Sequence, residues 1–162
     1  MTDAQNAKQA RMVRLVVTLS VLALVLGAIW YGFSQDVYKR VWTHLVERVG
    51  GPMTFRVILQ PAVSIVAAVK DGMMDARLGR DPYLYSLLTN RDTRHERLSE
   101  GLASTSTVFI LAFVIDIVYQ YVVFKTFFPG EAVVVAISLA LIPYFLLRGP
   151  VKRLAARRMA KS

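Results

Sequence analysis

Three stretches of this chain are apolar for long enough to cross a bilayer. Residues 15–33, LVVTLSVLALVLGAIWYGF, carry no charge. At 1.5 Å per residue that run reaches about 28 Å, against a hydrocarbon core of about 30 Å. Residues 103–124 and 128–147 form the second and third stretches, and KTFFPG between them predicts a tight turn and an antiparallel hairpin. Between the first and second stretches the pattern changes. In residues 34–52, Val37, Val41, Trp42, Leu45, Val46 and Val49 share one helical face, Lys39, Arg40, Glu47 and Arg48 lie on the other, and Gly50, Gly51 and Pro52 end the helix. This predicts an amphipathic helix, either at the headgroups or extending the first span against a partner. Residues 55–70, FRVILQPAVSIVAAVK, span only if extended back to Met53, with Arg56 reaching to the headgroups. Residues 71–101 are polar. Gly79 ends one helix, Asp81 and Pro82 open a short one through Leu88, and Asp92 caps another that enters the second stretch.

The expected fold is therefore all-α: a polytopic membrane protein of three, or four, transmembrane helices with amphipathic surface helices. One membrane domain covers 1–162, with spans at 15–33, 103–124 and 128–147. A cytoplasmic amphipathic and polar region covers 36–100, and a basic tail covers 148–162. Composition agrees, with 55% hydrophobic residues and a mean hydropathy of +0.44. The chain has no cysteine, which excludes disulfides and thiolate chemistry. His44 and His95 lie far apart with no metal-binding spacing, so neither metal nor cofactor is expected.

Net charge is +9, from 20 Lys and Arg against 11 Asp and Glu. The cations flank apolar runs, which points to an anionic membrane surface and away from nucleic acid. Arg148, Lys152, Arg153, Arg157 and Arg158 of the tail are the expected phospholipid headgroup contacts, and they place the C-terminus in the cytoplasm. Two topologies remain: an external N-terminus with three spans, or an internal one with 53–69 as a fourth. Arg56, Gln60 and Pro61 weaken the fourth, so three are preferred.

The candidate chemistry lies in the second stretch. Asp116 stands amid Val, Ile, Leu, Phe and Tyr, where a charge costs about 2.5–3.5 kcal/mol on insertion scales. Tyr119 and Gln120, at i+3 and i+4, share its face, and Ser138 across the hairpin lies at similar depth. No basic residue sits at that depth on the three spans. The expectation is a protonated Asp116, or one paired with a cation from another subunit. Asp71 and Asp75 in DGMMDARLGRD resemble part of the CDP-alcohol phosphotransferase signature, but the spacing is wrong and the final Asp is missing. They are read as a solvated helix face paired with Lys70 and Arg77. Glu100 and Glu131 are read as ordinary helix-end carboxylates, and Tyr83, Tyr85 and Tyr144 as interfacial anchors.

Taken together, LQP (59–61), DG and DARLGRDPY (71–83), IDIVYQ (115–120), FFPGEA (127–132) and PYFLLRGPVKR (143–153) resemble a group of small bacterial inner-membrane proteins with the same order of motifs. The resemblance implies a bacterial inner membrane and supplies no activity. The expected role is a non-catalytic accessory, assembly or scaffold subunit. It would dock on other integral membrane subunits through Asp116, Tyr119, Gln120 and Ser138. The alternative is a homo-oligomeric proton or small-solute conductor using Asp116.

Overall fold

The structure, a computed structural model, describes residues 3–51 and 54–160, without the side chains of 3–6 and 56. The expected stop at Pro52, the extension to Met53, the reach of Arg56 and the tail cation Lys161 lie outside the described residues. Among those described, every regular element is helical. The order is α1 (Asp3–Tyr31), α2 (Gln35–Gly50), α3 (Phe55–Arg77), α4 (Tyr83–Thr89), α5 (Arg91–Tyr119), α6 (Pro129–Ala136) and α7 (Ile142–Met159). α5 runs on through a wider π-helical turn, Gln120–Phe124, and a second such turn, Ile137–Leu141, joins α6 to α7. In that second turn the Ile142 N–H bonds the Ile137 carbonyl, just before Pro143, which has no N–H to give.

Four helices are long and apolar enough to cross a membrane: Ala7–Tyr31, Val57–Arg77, Arg91–Phe124 and Pro129–Met159. The protein is thus a multi-pass membrane protein. α1 rises to the turn at 125–128, where the Tyr31 hydroxyl donates to the Phe127 carbonyl at 2.8 Å. α2 turns back, from Arg40 beside Glu131 to Arg48 beside Asp116. α3 continues in that direction, from Val57 beside Val135 and Ser138 to Gly72 against the Arg148 carbonyl. α5 climbs again, and α6 and α7 descend.

Of the two topologies, the structure has the four long apolar helices of the second, and α3 divides the polar region 36–100. Residues 55–77 form one helix, which puts α2 at the turn end of the bundle and 78–100 at the tail end. Gln60 and Pro61 had weakened this span on the assumption that its polar groups meet lipid. In the structure Gln60 turns inward and is buried.

Small side chains fill the apolar core, with Ala23, Ala112, Ala132, Ala136 and Ala140 among Val108, Phe109 and Val133. In lipid the hydrophobic effect does not drive helices together, so association depends on close packing, which small residues permit. Large apolar side chains such as Leu22, Val25, Ile58, Val66, Leu111 and Leu146 point outward. The polar residues do the reverse: Asp75, Asp116, Gln120 and Arg148 are each 0% exposed.

Candidate functional site

α2 shows why charges lie inside. Arg40, His44 and Arg48 recur every fourth residue, so they form one stripe. That stripe faces the bundle, while Tyr38, Trp42, Val46 and Val49 are exposed. In lipid the apolar side can face out, and the basic side chains need partners within the protein. They find two carboxylates. Arg48 Nε donates to Asp116 Oδ1 at 2.8 Å and Nη2 to Oδ2 at 3.1 Å, a fork on a fork. Gln120 Nε2 donates to Asp116 Oδ2 at 2.7 Å. Gln120 Oε1 also accepts the Phe128 N–H at 2.6 Å, so the same side chain ties the turn. Glu131, 3% exposed, holds His44 Nδ1 at 2.8 Å and accepts from Arg40 Nε at 3.2 Å. His44 stacks on Phe124, and Arg40 lies 4.3 Å from the Phe128 ring centre.

Asp116, Tyr119 and Gln120 thus come together as expected, but α2 of the same chain covers them. Arg48 of the same chain faces Asp116, where the sequence offered a cation only from another subunit. Ser138 does not join the group: its hydroxyl donates to Val134 O at 2.8 Å within its own helix. Glu131 is a buried partner of α2, not an ordinary helix end.

A second cluster closes the tail end. Asp75, 0% exposed, receives two forks. Arg97 donates to both its oxygens at 2.9 and 3.1 Å, and Arg148 to both at 2.8 and 3.1 Å. Arg148 also reaches Glu100 at 2.9 Å and the Tyr144 oxygen at 2.7 Å. The Tyr144 hydroxyl donates to Asp71 at 2.6 Å, and Ser104 donates to the same oxygen at 2.5 Å. Tyr83 donates to the Arg97 carbonyl at 2.8 Å and stacks on Phe145. Its hydroxyl crosses directly over Gly101, where a Cβ would stand 2.2 Å from it, so only glycine fits. Burial pushes the Tyr83 phenol up to about 12, against the pull of Arg148 and Arg97, so it stays a donor at ordinary pH.

This cluster corrects four readings. Arg148 is not a headgroup contact; it is fully buried on Asp75. Asp75 is not solvated, and its partners are not Lys70 or Arg77. Tyr83 and Tyr144 are 0% exposed and hold the cluster, rather than anchoring at an interface. Glu100 takes part in the network. Arg153, Arg157 and Arg158 do lie on the surface, with Lys152 half-buried. The missed residues left a trace in the chain: Arg40/His44/Arg48, Asp71/Asp75 and Tyr144/Arg148 all repeat at i, i+4.

A third feature lies between the clusters on α3. Gln60 is 3% exposed and Ser64 0%. Both atoms of the Gln60 amide and the Ser64 hydroxyl have no hydrogen-bond partner among the described residues. In hydrocarbon an unsatisfied polar group costs several kcal/mol. No group of acidic, histidine or cysteine side chains able to hold a metal occurs among the described residues. Comparison with protein-family models, curated proteins and solved structures finds no match for this chain.

Proposed function

We propose that the protein is a non-catalytic accessory, assembly or scaffold subunit of a larger complex in a bacterial inner membrane. The observation that carries this reading is the cross-linking of α3, α5 and α7 through Asp75, Arg97 and Arg148. Two forks on one carboxylate hold three membrane helices in one arrangement, which suits a body that positions other proteins. The Asp116 face serves the internal fold, so partner contact falls to the outward side of α2. There Tyr38, Trp42 and Val46 are exposed on a helix whose inward face is anchored. An integral membrane partner with an apolar surface fits that stripe. With four crossings, the N-terminal cations, the 77–97 arginines and the tail share one end, so the positive-inside rule supports a cytoplasmic C-terminus. Arg153, Arg157 and Arg158 then meet anionic phospholipid. The motif order quoted above supports the bacterial inner membrane.

The test is gentle extraction of the tagged protein from its own membrane, with mass and identification of what accompanies it. A stoichiometric complex that Trp42→Ala disrupts is the expected result. A lone monomer would sink the subunit reading.

One observation favours a second reading, a proton or small-solute conductor. Buried polar groups continue along α3 between the two charged clusters. Dye-reported proton uptake by vesicles holding the purified protein, driven by a pH gradient, would show it. Uptake no faster than in empty vesicles would remove it.

A further inference from the structure

We propose that the inner face of α3 holds water within the membrane, at a site formed by the Gln60 amide and the Ser64 hydroxyl. The first argument is a contrast with four other helical serines. Ser20 donates to Val16 O, Ser86 to Tyr83 O, Ser106 to Ala103 O and Ser138 to Val134 O, each three or four residues back. Ser64 makes no such bond and is fully buried. Its hydroxyl is left open for a partner from outside its own helix.

The second argument is chemical class. Gln60 presents an unpaired donor and an unpaired acceptor, four residues before a hydroxyl that is both. An ion of either sign would satisfy only half of these groups. Among the described residues, the charges at both ends answer one another, cation to carboxylate. A small neutral molecule that donates and accepts satisfies all three atoms, and water is the smallest.

The third argument is continuity. At 100° per residue, Gln60, Ser64, Asp71 and Asp75 fall within roughly 60° of arc on one face of α3. Gln60 lies one turn beyond Val57, which shares a cavity of about 200 Å³ with Arg48 and Ser138. At the other end Asp71 is half-buried and its partner Ser104 is exposed, which gives the stripe a mouth toward water. Ser64 and Asp71 are about 10 Å apart along the axis, a distance that about three hydrogen-bonded waters would bridge. Ala68 between them has the side chain that obstructs least. The site does not depend on whether the protein serves a larger complex.

The absence of native cysteine makes the test clean. Thiols react as thiolates, and a dry apolar setting suppresses ionisation. Ser64→Cys and, as a dry reference, Ala136→Cys in the fully buried core each add one thiol. Both full-length proteins are treated in native membranes with a small membrane-permeant methanethiosulfonate. Ser64→Cys is expected to react at least about tenfold faster; equal rates would overturn the site. Adding Gln60→Leu to Ser64→Cys removes one water partner at similar volume and should slow the reaction at least about threefold. An unchanged rate would mean that local opening exposes the thiol, and would also overturn the site. If Ser64→Cys does not accumulate, Gln60→Cys against Ala136→Cys is read in the same way.

Discussion

The two charged clusters solve one problem, a carboxylate buried in a membrane protein, in different ways. At the turn end the basic side chains come, among the described residues, from a single helix: Arg40, His44 and Arg48 all belong to α2. Those bonds attach α2 to the hairpin of α5 and α6. At the tail end the cations come from different helices, Arg97 from α5 and Arg148 from α7, and they meet on Asp75 of α3. The first cluster is a tether and the second a cross-link. Loss of a tether should free one element, whereas loss of a cross-link should loosen the bundle.

The largest effect should follow Asp75→Asn. It leaves Arg97 and Arg148 buried beside a neutral side chain, a loss of about 3–5 kcal/mol. Thermal unfolding in detergent, followed by size-exclusion chromatography, should show early aggregation. Gly72→Ala should rank next, because its Cβ would meet the Arg148 carbonyl oxygen at 2.8 Å and press α3 off α7. A cost of about 1–3 kcal/mol in the same melt is expected from such overpacking. Arg48→Met should cost roughly 1.5–3 kcal/mol for its charged hydrogen bonds, comparable to Gly72→Ala and below Asp75→Asn. It should also expose the link after α2 to protease while α3–α7 remain resistant. If it lowers the melt as far as Asp75→Asn, tether and cross-link do not differ. The smallest effect should come from Arg153, Arg157 and Arg158 changed together to Gln. These exposed cations leave the melt unmoved and weaken binding of the purified protein to anionic lipid, readable by vesicle flotation.

Much of this architecture is legible in the chain. The hydrophobic runs mark α1, α5 and the α6–α7 span, and FFPG marks the turn. The cap of α5 falls on Asn90, whose side chain accepts from the Asp92 and Thr93 N–H groups, two residues before the Asp92 that the sequence suggests. Asp116, Tyr119 and Gln120 share a face by spacing alone, and the structure keeps them together. α3 was harder, because a span with polar groups on its inward face has a weaker hydrophobic signal than one that is apolar all round. α2 was legible as an amphipathic helix, but not which of its sides faces inward. Periodicity gives two faces without saying which solvent each meets, and in lipid the usual assignment reverses. Arg148 looked like the first residue of a basic tail because the cations after it are surface residues. Only its position opposite Asp75 sets it apart.

The sequence by itself determined a helical, multi-pass membrane protein with a hairpin and a basic end. Those properties are carried by single residues and their near neighbours, through length, hydropathy and turn chemistry. The tertiary structure decided which charges meet. Arg48 and Asp116 are 68 residues apart, and Asp75 and Arg148 are 73 apart. A buried ion pair depends on the distance between two side chains in space, and local periodicity does not encode it. Each charge alone is too costly in the membrane. The pairing that makes both tolerable exists only once the helices have packed.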